Sequence, residues 1–591
     1  MPFDGLTIRG LCRELNDLLF NARIDKIHQP EKDDLVFSIR QSGNGTFRLL
    51  ISANARWARL QLTGEKGINP ITPPAFCMFL RKHLEGGKIK AVSQEGFDRI
   101  IHIHIEALDD FREWRNKLLI CEFMGKHSNI ILVNPETGII MDAIRKYGSD
   151  LSTYREVLPG KEYLLPPGQG KLNPLTASYE EFAALMYSQN EQITLSSALF
   201  HTFSGLSQFS CREICSAAGL DEALPLEECG SYEFNALYTY LRTLLQDLYE
   251  GRVRPEVVYL QKHPQEFAPY EISAWPQGKK MYFASLIEAC QRYFDDRIGI
   301  ARLESMRANL SRHIKDVLEK AYRKRFHQEG DLHQAGENKK YKIWGELLTA
   351  YAHELVKGQP NAQLNDFYSG ESVEIPLDPR FTPIKNAQRY FKIYNKSTRA
   401  VKYLYDLISK NQQEIDYLES VLVAIEQAEI PSQLEEIIEE LEKEGVVKEK
   451  GKGKRRRAAP VHSQPRRYMS SDGLEIMVGR NNRQNDQLTL KLAAGHDLWL
   501  HTKEVPGTHV IVKLGPEMDT IFKVPDRTLE EAAALAAHFS KAGLSDKVGV
   551  DYTFRYNVKK PGGARPGMVI YDNYWTILVN PRNQVLEPLP E

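Results

Sequence analysis

The sequence predicts a multidomain α+β protein, and three observations carry that reading. The chain has 591 residues, enough for about three to five domains that each bury a core. Its hydrophobic periodicity changes along the chain, from strand alternation to short helices, to heptads, and back to strands. Its charge is sorted by segment, although 77 Lys+Arg nearly cancel 78 Asp+Glu in the whole. With 42% hydrophobic and 26% charged residues, fully disordered, collagen-like and disulfide-knot chains are set aside. No run reaches the ~18–20 apolar residues of a membrane helix. The opening MPFDGLTIRG has neither a basic start nor an apolar signal core. A soluble, cytoplasmic protein with no membrane association is expected.

Residues 1–170 predict an α/β domain. A helix through Leu11, Leu15, Leu18 and Leu19 comes first, followed by alternating runs at 35–41, 47–52 and 57–63. PPAFCMFLRKHL (73–84) predicts a helix opened by proline. Further strands are expected at 88–94, 98–107, 117–123 and 129–134, and proline-rich loops (158–168) close the domain. Residues 171–295 are expected to be mostly helical, broken by short loops.

From 296 to 445 heptads take over. Ile300, Leu303, Arg307, Leu310, Ile314, Val317 and Ala321 alternate three and four residues apart. So do Val401, Leu404, Ile408, Asn411, Ile415, Leu418, Leu422 and Ile425. Sustained over four heptads, this spacing predicts a coiled-coil seam. Gly, Pro and one short strand between the two runs mark a small middle tip at about 360–385. The helices are therefore expected to fold back as an antiparallel arm of about 40–55 residues, roughly 60–80 Å long. A helical bundle packed on the body is the competing arrangement. Residues 297–325 carry nine Lys/Arg and three Asp/Glu, whereas 414–444 carry eleven acids and one lysine. Such segregation fits salt bridging across the seam, and the acidic run 430–445 fits a solvated face. A basic linker follows at 446–467, with nine basic residues and one acid. It suits nonspecific attraction to phosphates, and a nuclear-import signal has a similar composition.

Residues 468–581 predict a compact α/β domain, followed by a tail at 582–591. YMSSDGLEIMVGRNNRQND (468–486) predicts a strand hairpin with turns at Asp472-Gly473 and Asn481-Asn482. Strands are expected within 496–514, 548–560 and 568–581, around a helix at 528–542 whose Thr528 and Glu531 have capping-box spacing. Basic and aromatic residues interleave along this domain, as a rim on a β scaffold suited to RNA phosphates and base stacking. The candidate RNA contacts are Arg480, Asn482, Arg483, Lys503, Lys559, Lys560 and Arg565.

No catalytic constellation stands out. The phosphate-loop, dinucleotide-loop and nucleophile-elbow motifs are absent. The seven cysteines include no CxxC, and none follows Cys290. Cys211 and Cys215 are i,i+4 neighbours without a second pair, so buried thiols are expected. Asp497, His501 and His509 form a metal set only on paper, with no HExxH or cysteine partner to support it. Structural or RNA-contacting histidines are expected there, with Trp499 in the core. The chain is expected to be no enzyme and to carry no metal or cofactor.

DGLEIMVGRNNRQND, HDLWLHTKEVPGTHVIV and VKKPGGARPG together resemble the RNA-binding domain that closes the NFACT proteins. PAFCMFLRKHLEG, GFDRI and EFMGKHSNIILV resemble that family's glycosylase-like N-terminal domain. LFHTFSGLSQFSCREI (199–214) resembles its helix-hairpin-helix module. GELLTAY (345–351) and LDPRFTPIKNAQRYFKIYNK (377–396) resemble its coiled-coil and middle segments. The resemblance covers nearly the whole chain in the family's order, and the chain stops after the RNA-binding domain as bacterial members do. Thr508 stands where the family commonly has serine, and the hydroxyl is kept.

The resemblance implies ribosome-associated quality control by an adaptor and elongation factor. Family members recognise a large ribosomal subunit still carrying peptidyl-tRNA and bring in a tRNA, alanyl-tRNA in bacteria. They support mRNA-independent addition of a C-terminal alanine tail that marks the chain for degradation, while the ribosome makes the peptide bonds. Implied partners are rRNA, a stalk-base protein reached by the coiled coil, and a small RNA-binding protein of the heat-shock type; a monomer is expected. The family's tRNA-recruiting residues fall on Asp98 and Arg99 of GFDRI and on Asp4 of PFDG. An arginine grips phosphate or a guanine edge bidentately, and a neighbouring aspartate orients it or accepts from a base. Read without the family, Asp98 and Arg99 are a turn ion pair. Two other classes compete. A DNA glycosylase would use Pro2, but Phe3 stands where those enzymes have an acid, and the cysteine-free C-terminal half has no zinc finger. A fibronectin-binding surface adhesin would need the export signal or wall anchor that this sequence does not show.

Overall fold

The computed structural model describes the chain except residues 1, 2, 44, 65, 66, 68, 151–153, 169, 449–462, 516, 517, 519, 584, 585, 590 and 591. Pro2 and most of the basic linker therefore lie outside the described residues. The described chain divides into two compact units between Ala301 and Arg302. No helix among the described residues is long and apolar enough to cross a membrane.

The first unit opens with α1 (Gly5–Leu19), whose apolar face buries Leu6, Leu11, Leu15 and Leu19. Nine antiparallel strands follow, interrupted by one helix: β1 (Arg23–Glu31), β2 (Asp34–Gln41), β3 (Gly45–Ser52), β4 (Arg59–Leu62), α2 (Ala75–Leu84), β5 (Lys88–Gln94), β6 (Ile100–Leu108), β7 (Trp114–Glu122), β8 (Asn129–Val133) and β9 (Ile140–Ala143). They form one sheet in the order β4-β3-β2-β1-β5-β6-β7-β8-β9. Two meanders thus join along β1 and β5, and α1 packs on the seam. The expected strands are present; β9 was not foreseen, and neither was β1. Its pairing with β2 slips at Ile24/Lys26 and at His28/Glu31, and these irregularities erase the period-two alternation that marks its neighbours.

The next segment holds α3 (Tyr179–Tyr187), α4 (Leu195–Thr202), α5 (Gln208–Ala217) and α6 (Ser231–Glu250) around a core of Phe182, Leu199, Phe203, Leu237 and Leu241. It does not stay helical to its end. β10 (Glu256–Leu260), β11 (His263–Ala268) and β12 (Lys279–Tyr282) form a three-stranded sheet ordered β11-β10-β12. Then α7 (Leu286–Glu337) begins about ten residues before the first heptads. The Glu14 carboxylate accepts from the first N–H groups of this helix, Leu286 at 2.8 Å and Ile287 at 2.9 Å, a favourable position against the helix dipole.

In the second unit α7 continues to α8 (Lys340–Ala350), the hairpin β13 (Asn361–Asn365) and β14 (Ser372–Pro376), then α9 (Pro383–Gln427) and α10 (Pro431–Lys443). The arm is antiparallel: Asn411 Nδ2 donates to the Ala321 carbonyl at 3.0 Å, and Arg302 meets Glu435 at 3.2 Å. The seam is buried over Leu303, Leu310, Ile314, Ile415, Leu418 and Ile425; Val401 and Leu404 are only half-buried. The tip has a core of its own, from Leu347 and Leu348 to Leu364 and Ile375, and holds a helix and two strands where one strand was expected. The acidic run is not a solvated face. Leu434, Ile437 and Leu441 of α10 join the seam core, and Glu436 and Glu440 are buried.

The C-terminal part comprises β15 (Arg466–Met469), β16 (Glu475–Val478), α11 (Asn482–Gln487), β17 (Leu498–Thr502), β18 (Val510–Val512), α12 (Asp526–His538), β19 (Val548–Phe554), β20 (Val558–Lys559), β21 (Ile570–Tyr571) and β22 (Trp575–Val579). Six strands pair as β15-β16-β18-β17-β19-β22, with α12 against one face. Two expectations are corrected here. Asn481-Asn482 is no hairpin turn: the Asn481 Oδ1 accepts from the Gln484 N–H at 2.9 Å and starts α11. Thr528 and Glu531 form no capping box, because α12 starts earlier, after Pro525. The Thr528 hydroxyl instead donates to Asp472 at 2.7 Å, and Glu531 accepts from the Ser471 N–H at 2.9 Å.

Candidate functional site

Two glycines let three segments of the first unit converge. The Gly5 N–H donates to the Gly205 carbonyl at 2.6 Å. A Cβ on Gly5 would lie 2.6 Å from the Phe97 carbonyl, and one on Gly205, at φ +75°, only 1.8 Å from it. Only glycine permits this approach. The start of α1, the GFDRI turn and the α4–α5 loop thereby surround one cleft of about 620 Å³, within the size range of ligand sites.

Asp4, Asp98 and Arg99, the three tRNA candidates, all line this cleft, but they differ in availability. Asp4 is 2% exposed. Its Oδ1 accepts from the Thr7 N–H at 3.1 Å, capping α1, and its Oδ2 accepts from the Ser207 N–H at 3.3 Å and from the Ser210 hydroxyl. Tyr270 donates to Ser210 at 2.8 Å behind it. Asp4 therefore holds the cleft's shape. Asp98 and Arg99 are half-buried. The Arg99 N–H donates to the Asp98 carboxylate at 2.7 Å, and Gln94 Nε2 bridges the Asp98 carbonyl (2.9 Å) and the Gly5 carbonyl (3.0 Å). The pair is thus tied to the start of α1 through backbone contacts.

The same cleft gathers groups that sequence reasoning missed. Lys171 lies 4.0 Å over the Phe200 ring and donates to that residue's carbonyl at 2.8 Å; burial pulls its pKa down. Glu266 on β11 is 8% exposed, and burial, reinforced by the like charge of Asp4, pushes its carboxyl up to about 7. Arg212 of α5, Phe209 and Trp275 complete one side. Phe200, Phe209 and Arg212 fall within the 199–214 stretch singled out above for its fold rather than for contacts, whereas Lys171, Glu266 and Trp275 carry no short motif and arrive from separate segments.

The basic candidates of the C-terminal part do not share one rim. Arg480 donates to the Gln464 carbonyl at 2.8 Å and pairs with Glu429 at 3.3 Å. Asn482, 4% exposed, donates to Ser420 at 2.9 Å and to Glu440 at 3.4 Å. The Arg483 N–H donates to Glu440 at 3.2 Å, and its side chain is exposed. Lys560 pairs with Asp486, which also accepts from the Gly567 N–H at 3.1 Å, so the two signature loops do come together. Arg565 lies 4.9 Å over the Tyr417 ring and 3.7 Å from Glu414. Lys503 and Lys559 are exposed. Trp499 is fully buried and His509 nearly so, while Asp497 accepts from Lys513 at 2.7 Å. Among the described residues no group of three His, Cys, Asp or Glu is placed to hold a metal ion. Cys211 and Cys215 are free buried thiols.

Comparison with known proteins gives matches along nearly the whole chain. Residues 4–460 match the NFACT N-terminal and middle domains, and residues 464–573 match the NFACT protein RNA binding domain. The Rqc2 homolog RqcH of Bacillus subtilis (strain 168) is 36% identical over 583 residues, 98% of each chain. The Rqc2 homolog RqcH of Streptococcus suis (strain 05ZYH33) is 34% identical over 594 residues, 100% of each chain. A solved structure of the C-terminal part of the fibronectin/fibrinogen-binding protein from Streptococcus suis is 33% identical, with TM-score 0.37, covering 47% of this chain and 96% of that one.

Proposed function

The chain belongs to the NFACT family, and from that premise we propose that it is a cytoplasmic ribosome quality control factor. In this reading it binds a large ribosomal subunit obstructed by peptidyl-tRNA and recruits alanyl-tRNA for mRNA-independent alanine tailing. It acts as an adaptor, and peptide bonds are made by the ribosome. The observation that carries the reading is the cleft that Asp98 and Arg99 line together with Lys171 and Arg212. Arg99 supplies a planar donor fork for a phosphate or a guanine edge, and Asp98 an acceptor for a base amino group. Lys171 and Arg212 add positive charge along the path of the backbone. Asp4 acts through the fold, as the cap that holds α1 and the Ser207 loop together.

A tagged full-length chain purified from cells with stalled translation tests this. Large subunits and alanine-accepting tRNA are expected to co-purify. Asp98→Ala with Arg99→Ala is expected to lose the tRNA and keep the subunit. A double variant that retains tRNA refutes the site, and absence of large subunits refutes the function. Asp4→Ala is the wrong probe, because it removes the acceptor of three hydrogen bonds inside the fold.

A further inference from the structure

The cleft at Asp98 and Arg99 is bounded by a wall that has a second cleft on its other side. Phe209, Arg212 and Trp275 line the first cleft and also line a neighbour of about 400 Å³. Between the two, Phe209 and Trp275 are stacked, with ring centroids 5.7 Å apart and planes 19° from parallel. Phe209 is buried, while Trp275 is only half-buried, so part of the indole remains open to another ring. The backbone is bent to keep it there. Trp275 has φ +56°, a left-handed conformation that bulky side chains rarely adopt and that clusters at functional sites. Glu213, four residues after Phe209 on α5, clamps the approach: its carboxylate accepts from the N–H groups of Ser273 at 2.6 Å and Ala274 at 3.0 Å. Glu266, elsewhere in the lining of the larger cleft, has its Oε1 buried without a hydrogen-bond partner. A buried polar atom left unpaired needs a reason, and a ligand in the cleft supplies one.

We propose that the Phe209–Trp275 wall is a stacking platform for one unpaired nucleotide of the tRNA. The adjoining nucleotide inserts its base into the larger cleft, where Glu266 hydrogen-bonds it, and Arg212 at the shared rim holds the phosphate between them. The proposal rests on the tRNA reading of this cleft and adds the residues that stack and read its unpaired bases. An aromatic platform accepts any base, because every base has a π-face, and the inserted base is the one that is read.

The full-length protein is titrated with deacylated alanine tRNA, with single-stranded hexanucleotides of each base, and with a short blunt RNA duplex. Trp275→Ala is expected to weaken tRNA and hexanucleotide binding by about tenfold, the size of one lost base stack, and to leave the duplex unaffected. Trp275→Phe keeps a ring and is expected to restore most of the affinity. Trp275→Leu keeps bulk without a ring and replaces the alanine variant if that one melts early. Glu266→Gln, which adds a donor, is expected to reorder the affinities among the hexanucleotides, and an unchanged order removes Glu266 from the proposal. If every Trp275 variant binds tRNA normally while the Asp98/Arg99 double variant does not, the platform is wrong and the tRNA site stands. If neither weakens tRNA binding, both readings fall.

Discussion

An exposed histidine is half-protonated near pH 6.5, but His509 is 1% exposed, edge-on to Trp499 and His501 at 5.3 and 5.6 Å. Its Nδ1 lies 2.7 Å from the Thr489 hydroxyl. Burial, with His501 beside it, pushes its pKa down to about 3, and burial lowers His501 as well. The unfolded chain therefore binds a proton that the folded chain refuses. Stability is complete above about pH 6.5 and is lost as pH falls toward about 3, at ~1.4 kcal/mol per pH unit. At about pH 5 the His509 contribution to instability reaches about 2 kcal/mol. Urea titrations at about pH 7.5 and 5 are expected to show that loss, and His509→Gln to make the pH dependence shallower; an unaltered slope removes His509 as its source. Residues of this kind were legible from the sequence only as types. Asp98 and Arg99 could be picked out because a short motif carries them, whereas Trp275 and Glu266 acquire meaning only when α5, β11 and the turn before β12 meet.

Helix α10 shows what element-scale pattern reading loses. Its sequence is acidic enough to suggest a solvated face, yet Glu440 is 2% exposed. It accepts from the Tyr417 hydroxyl at 2.9 Å, the Arg483 N–H at 3.2 Å and Asn482 at 3.4 Å. Burial raises its pKa, and these three donors hold the carboxyl in place. Glu436 similarly accepts from Asn481 at 3.0 Å and from the Ser463 hydroxyl at 2.9 Å. The carboxylates thus fasten the turn before α11 to the arm. Glu440→Ala removes the acceptor of three hydrogen bonds, two of them buried, and is expected to cost about 3 kcal/mol. Glu435→Ala breaks only an exposed pair with Arg302 and is expected to cost less than about 1 kcal/mol. Equal midpoints in denaturant for the two variants would contradict this assignment. Periodicity did locate α1, α2, the arm helices and most strands of the large sheet, since each repeats a burial pattern. It missed β1, whose register slips, the β10–β12 sheet, and the start of α12, which Asp472 rather than Glu531 helps secure.

At the scale of the whole molecule, a net charge of −1 hides segments of opposite sign, and the arm shows what the sorting is for. Heptads run through both helices, but among the described residues the buried seam between α7 and α9 covers Leu303–Ala321 and Ile415–Ile425, with α10 packed on it. Beyond Asn411 toward the tip, α9 carries seven Lys/Arg and one Asp in residues 383–410. Phe326, Tyr403 and Tyr405 there are 75%, 64% and 61% exposed. Exposed aromatics among basic side chains add little to folding stability, and they form a surface suited to phosphates and to a protein partner. On the proposed function, the outer arm is therefore expected to serve the ribosome contact and to leave the rest of the fold standing when it is removed. Because Ala321 and Asn411 are already hydrogen-bonded across the seam, residues 322–410 can be replaced by a short Gly/Ser turn with the inner seam kept. The shortened chain is expected to melt close to the full-length protein and to bind alanine tRNA with unchanged affinity through the Asp98–Arg99 cleft. In lysates with stalled translation it is expected to lose the large subunit. Co-purification of the subunit at full yield would show that the contact lies elsewhere, and loss of tRNA binding as well would show that the two activities are not separable along the chain.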